Sequence, residues 1–223
     1  NVFARESTAQ ETITHLARPR GMSMAQPKFI DLRQENWDRQ LQITLGDPIA
    51  YLRTRPDEQY ALVLPNLSAA LKAFLRADYP LYEAGHREKI AREIVSRFDS
   101  GTAPAPHQLI EWNDHWFAFL QSHFPEGQQY RNLPLRYTRD NRNFTATLDQ
   151  LIETGNEIIL LQQSSFSGNQ EKTAQKSKNL ASWMHFAASG IQEKYPDARV
   201  RTFAHYFNAG ILQEILIENT QNS

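Results

Sequence analysis

The chain has no cysteine among its 223 residues. That excludes disulfides, cysteine-ligated zinc, a cysteine nucleophile and an iron–sulfur cluster. It also lacks an excess of either charge: 24 Lys and Arg against 25 Asp and Glu leave a formal net charge of -1. No global basic field announces nucleic acid, so any DNA contact has to come from a local patch. Long apolar runs are missing too. None approaches the ~18 residues a helix needs to cross a bilayer, and no signal-peptide pattern opens the chain. A G-x-x-x-x-G-K-[ST] loop is absent, so no P-loop motor is present. Internal repeats and low-complexity tracts are lacking as well.

What remains is an ordinary globular composition. Apolar residues make up 40% of the chain, enough for a sizeable core, and charged residues 22%. The length fits one domain, or one domain with an extended N-terminal arm. Residues 1–44 read as that arm or linker: polar, broken by Arg18-Pro19-Arg20-Gly21, partly ordered, with a short helix over Thr8–Ala17. Short strand or loop elements follow in Phe29–Tyr60, including Gln42–Leu45. Helical spacing covers Pro65–Ala77, where Leu67, Ala70, Leu71, Phe74 and Leu75 share a face. It returns over Ala84–Phe98, and over His107–Phe124 behind the start signal Pro106. Strands are expected at Arg131–Thr138, Phe144–Thr154 and Glu157–Ser164, with turns at Arg139–Asn143 and Gly155-Asn156. A helix from about Lys172 to Lys194 then leads to a hairpin of Arg199–Asn208 and Ile211–Glu218. This order predicts an α/β fold, a mixed central sheet flanked by helices.

The most informative stretch is Thr145–Gly168, TATLDQLIETGNEIILLQQSSFSG. Its cadence resembles the C-terminal nuclease domain of AddA/RecB-type (UvrD-like) helicase–nucleases, members of the PD-(D/E)XK superfamily. There the run reads roughly G-x-x-D-x-L-x-E-T, a short turn, then V-x-I-D-x-K-S-x-x-G. Laid over this chain, the first family aspartate falls on Asp149, the second on Gln162 and the lysine on Ser164. Asn66–Leu75, NLSAALKAFL, resembles the family helix L-G-x-A-x-H-x-F-L, with Lys72 where the metal-site histidine stands. Asn132–Leu135, NLPL, resembles an E-x-P-x run with Asn132 for the glutamate. Asn179–Trp183, NLASW, resembles Q-L-x-x-Y on a helix near the DNA, with Asn179 and Trp183 in the named places. The likeness runs from about Leu45 to Ile217 and implies a RecB-like nuclease-fold domain over 45–223.

The departures from the family pattern fall on its chemistry. Nucleases of this class hold Mg²⁺ between two carboxylates, and Mg²⁺ prefers hard, charged oxygen ligands. Gln162 would offer one neutral oxygen, and Ser164 cannot bring the charge of a lysine to the phosphate. Asp149 alone is a poor Mg²⁺ site. A Lys72 ammonium beside Asp149 would fill the metal's place with an ion pair. The resemblance therefore implies a catalytically inactive nuclease-like domain of an ATP-dependent helicase–exonuclease of double-strand break repair. It would serve in the cytoplasm as a scaffold and a wall of the DNA path, with no cofactor. Its partners would be the helicase portion of the same polypeptide, to which the start at Asn1 also points, and a second helicase–nuclease subunit. The lack of cysteine separates it from the superfamily branch with a four-cysteine cluster.

Two other readings stay open on the sequence. One is an active, Mg²⁺-dependent exonuclease that keeps Asp149 and uses migrated groups, Glu171 with Lys172 or Lys176. The other is an α/β interaction domain outside the superfamily, with Asp149 and Gln162 on unrelated elements. Candidate DNA contacts are Arg139 and Arg142 at a hairpin tip, near Arg131, Arg136 and the offsetting Asp140. Lys172, Lys176 and Lys178 are others, beside Asn179 and Trp183. A solvated hairpin and a soluble helix face explain the same residues. His107, Glu111 and His115 stand at i, i+4 and i+8, without the H-E-x-x-H spacing of a zinc site. They read as the wet side of a helix whose stripe is Leu109, Trp112, Trp116 and Phe119. His123 and His185 border apolar faces.

Overall fold

Apolar runs in the second half of the chain build one mixed sheet. The computed structural model describes residues 29–31, 41–52, 65–98, 104–139, 142–165 and 170–219. Among them are eight strands: β1 (Phe29–Asp31), β2 (Leu41–Leu45), β3 (Ile49–Ala50), β4 (Gln128–Arg139), β5 (Arg142–Glu153), β6 (Glu157–Ser164), β7 (Arg199–Tyr206) and β8 (Ile211–Asn219). The helices are α1 (Pro65–Ala77), α2 (Ala84–Arg97), α3 (Pro106–His123) and α4 (Gln170–Lys194). Strands pair in the order β1-β5-β6-β7-β8-β2, with β4 added to β5 and β3 to β8.

β4, β5 and β6 form an antiparallel meander, α4 crosses over, and β7 returns parallel to β6 before β8 folds back antiparallel. A parallel neighbour needs such a crossover, whereas the meander needs only turns. The turn at Gly155-Asn156 is the expected two-residue loop, closed by the Thr154 N–H donating to the Glu157 carbonyl at 2.9 Å. β6 reads as a continuous apolar run because helices cover both of its faces. Ile159 and Leu161 join Ile152, Phe203, Phe74, Leu109 and Trp116 on the face under α1, α2 and α3. Ile158 and Leu160 join Leu148, Leu151, Trp183, Met184 and Phe186 on the α4 face.

Helix α3 starts where Pro106 predicts, and Gln108 Oε1 reaches back to accept the Ala105 N–H at 2.8 Å. The β7–β8 turn needs Gly210, whose φ is +61° and where a Cβ would lie 2.3 Å from Leu52 Cγ. β1 and β2 take their places in the sheet from within the segment read as an arm, β1 parallel to β5 and β2 antiparallel to β8. β4 begins three residues before the strand the sequence predicts, at Gln128. The expected helix over Thr8–Ala17 lies outside the described residues. Among those described, no helix is long and apolar enough to cross a membrane.

One irregularity positions the site. β4 and β5 pair residue by residue from Gln128↔Glu153 to Arg139↔Arg142, except at the step where Asn132 faces Asp149. Asn132 has φ +52°, a left-handed conformation that asparagine tolerates better than most residues. Both strands turn over there. Tyr130 and Leu133 pack into the same cluster, as do Leu148 and Leu151, although regular alternation sends residues three apart to opposite faces.

Candidate functional site

Asp149 sits where the sheet forks. β5 pairs with β6 over Gln150–Glu153 and with β1 over Asn143–Thr145, so the β5–β6 ladder ends beside Asp149. Its carboxylate bridges that gap: Oδ2 accepts the Gln163 backbone N–H at 2.9 Å. Helix α1 crosses this end of the sheet and presents Lys72 and Arg76, one turn apart on the same face. Arg76 Nη2 donates to Asp149 Oδ1 at 2.5 Å, and Lys72 Nζ donates to Oδ2 at 3.4 Å. Lys72 also donates to the Gln163 carbonyl at 3.2 Å, tying α1 to β6. The carboxylate side chain is 1% exposed, while Lys72 and Arg76 keep 31% and 43% of theirs. Burial makes the anion dependent on its partners, because water cannot replace them.

The same face carries His205, which is fully buried. It pairs in register with Gln163, stacks on Trp116 at 4.1 Å between ring centroids, and has Nε2 2.8 Å from the Tyr51 hydroxyl. Burial, and secondarily the Lys72 charge, hold its pKa down to about 3, so the ring is neutral. Among the described residues, neither its Nδ1 nor Gln163 Oε1 has a hydrogen-bond partner.

Strand alternation decides which glutamine belongs to this site. Leu161 faces the α1 side and Leu160 the α4 side, so Gln163 follows Leu161 and Gln162 follows Leu160. Their β7 partners agree: Gln162 pairs with Ala204, packed with Ala181 of α4, and Gln163 pairs with His205. The glutamine beside Asp149 is therefore Gln163, not the Gln162 of the sequence reading, and Ser164, in register with Tyr206, shares the parity of Gln162. Asp149 and Gln162 do lie on neighbouring strands, but their side chains leave the sheet on opposite faces. Lys72, by contrast, meets Asp149 as the sequence predicts.

Other expected residues disperse. Trp183 corrects the DNA-contact expectation: it is 3% exposed and packed in the α4-side core, where no strand of DNA reaches it. Asn179 is exposed and accepts from Gln175 Nε2 at 2.9 Å. Lys176 Nζ donates to the Ser165 carbonyl at 2.7 Å, and partial burial lowers its pKa. Glu171 and Lys172 are exposed on the first turn of α4, the helix on the face opposite Lys72. The backbones of Arg139 and Arg142 close the β4–β5 ladder, and their side chains lie outside the described residues. Arg131 is structural: its guanidinium donates to the carbonyls of Leu75 and Asp78, capping the end of α1. His107, Glu111 and His115 are exposed beside the buried stripe of Leu109, Trp116 and Phe119. Arg76, Gln163 and His205 were not legible as site residues. Only Arg76 left a signal, four residues after Lys72.

Comparison with known proteins names no relative: no family model matches the chain, and no curated protein matches it.

The geometry can be tested against the Mg²⁺ that a nuclease of this class would hold. Asp149 brings the carboxylate oxygens, and both are engaged, Oδ1 by Arg76 and Oδ2 by Lys72 and the Gln163 N–H. Gln163 adds a neutral amide. A dication would have to displace two tethered cations to reach one carboxylate, so these residues do not fit Mg²⁺.

Proposed function

We propose that this chain is a catalytically inactive nuclease-like domain of the PD-(D/E)XK type, akin to those of AddA/RecB-like helicase–nucleases. Its role is that of scaffold and wall of a DNA path. One observation carries the reading: Asp149 is bridged by Lys72 and Arg76 at the fork where an active relative would hold its metal. The order of meander, crossover helix and parallel strand supports it, as does the neutral Gln163 at the second acidic position. With two cations around one carboxylate the site keeps a net positive charge. That suits contact with phosphates and gives no means of activating water. The natural partners are a helicase portion of the same polypeptide and a second subunit that supplies any cleavage, in the cytoplasm.

The test is cleavage of end-labelled linear DNA, single- and double-stranded, with Mg²⁺, Mn²⁺ or chelator, and with Asp149→Ala in parallel. No cleavage above background is expected under any condition. Metal-dependent cleavage lost in Asp149→Ala would instead establish an enzyme with migrated catalytic groups.

A further inference from the structure

A cleft opens between the β5–β6 turn and the loop that leads from α4 into β7. It holds about 410 Å³ and is lined by Glu153, Asn156, Ile158, Tyr195, Pro196 and Asp197, among others. That is the size of a small-molecule site. Its walls are fixed. The Gln192 side-chain amide donates to the carbonyls of Tyr195, Pro196 and Ala198 at 2.9 to 3.3 Å, which pins the loop to the end of α4. The Arg199 N–H donates to the Asn156 carbonyl at 2.9 Å, which ties the loop to the hairpin.

Glu153 gives the cleft its character. Strand alternation sends it, with Leu151, to the α4 side of the sheet, where it is half-buried. Among the described residues its carboxylate has one hydrogen bond, from the Tyr130 hydroxyl and long at 3.4 Å, and no cation pairs with it. The other half-buried acids of this sheet, Glu157 and Glu214, both meet arginines. Burial first, and then the Glu153 charge, raises the pKa of Tyr130 and of Tyr195, so both stay neutral phenols. The Tyr195 ring lines the cleft and already attracts one cation, Lys194 Nζ, at 5.6 Å from its centre. A carboxylate without an ion pair, close to a tyrosine ring, suits an ammonium group. A metal dication fits worse, since among the described residues no three acidic or histidine side chains gather to hold one.

We infer that this cleft binds an organic cation, a primary ammonium on a short alkyl chain, with the ammonium on Glu153 and the chain against Tyr195 and Pro196. A free amine carries such a group, and so does a lysine side chain of a partner. Asp149 lies beyond the other end of the β5–β6 ladder, so this site shares no residue with the nuclease-like one.

Chemical-shift titration of the isotope-labelled protein with butylammonium chloride tests it, with butanol as the neutral probe and N-acetyl-lysine methylamide as the model of a lysine side chain. Butylammonium should shift the amides of Gly155, Asn156 and Ala198 saturably, and butanol should not. Glu153→Gln is expected to weaken binding by about tenfold or more, as loss of a hydrogen bond to a charged group does. Tyr195→Leu should cost about two- to fivefold, the worth of an exposed cation–π contact. Lys194→Gln should tighten binding, because a competing cation leaves. The remaining amide shifts show that each variant is folded. Tighter binding of the capped lysine than of butylammonium would assign the cation to a polypeptide, and equal or weaker binding to a free amine. No saturable shift with butylammonium, equal shifts with butanol, or a Glu153→Gln protein within twofold of wild type would overturn the inference.

Discussion

Removing the two cations from Asp149 should cost far more stability than neutralising Asp149 itself. Consider Lys72→Met with Arg76→Met. The carboxylate, 1% exposed, is left with a single neutral donor, the Gln163 N–H at 2.9 Å. Stripping partners from a buried charge typically costs about 3–5 kcal/mol, a large part of the ~5–15 kcal/mol that holds a domain together. Asp149→Asn does the reverse. Its amide oxygen keeps the Gln163 bond, and Lys72 and Arg76, already 31% and 43% exposed, can turn to water. That exposure discounts their loss to about 1 kcal/mol, the upper end for exposed pairs. Combining all three changes removes the orphaned charge, so most of the loss should return. Urea unfolding followed by tryptophan fluorescence reads this directly, since Trp116 and Trp183 are buried in opposite layers. If the double methionine variant is no less stable than Asp149→Asn, the bridge is not what holds this fork closed.

The remaining expectations are local. The pKa of His205 is held down to about 3, so below its ordinary value of about 6.5 only the unfolded chain takes up this proton. Stability should therefore fall as pH drops, by about 2 kcal/mol from this group between pH 6.5 and 5; His205→Gln should lose that much less in paired urea titrations. At Asn132, with φ +52°, Asn132→Gly should be nearly neutral by thermal melting, whereas Asn132→Val should cost about 1–2 kcal/mol. Gly210→Ala should lower the melting temperature more than Gly155→Ala, because a Cβ at 210 meets Leu52 at 2.3 Å and one at 155 meets nothing within 4 Å.

Most of the fold was legible because each element announces itself locally. The stripe of Ala70, Leu71, Phe74 and Leu75 marks α1, and the turn residues Gly155-Asn156 fix the β5–β6 hairpin. β1 was legible only as one of the short strand or loop elements expected over Phe29–Tyr60, since three residues are too few to show a period. The site was half legible. Lys72 beside Asp149 followed from the likeness of Asn66–Leu75 to the family helix, but counting along β6 by family spacing reached Gln162, one residue short. Parity in a strand holds only while the ladder is regular, and the turnover at Asn132 and Asp149 broke it. Trp183 shows the opposite lesson. It lies in one helical stripe with Leu180, Met184 and Ala187, a core pattern that the family likeness overrode. His205 owes its character to Tyr51 and Trp116, 154 and 89 residues away in the chain, and nothing local foretells them.

The most direct test of the cation-filled site is titration of the wild-type protein with Mn²⁺, following the free ion by electron paramagnetic resonance. With Lys72 and Arg76 on Asp149, the free-ion signal should rise in proportion to the Mn²⁺ added and match that of Asp149→Ala. A stoichiometric bound fraction that disappears in Asp149→Ala would mean that the carboxylate still holds a metal and that the two side chains do not stand in its place.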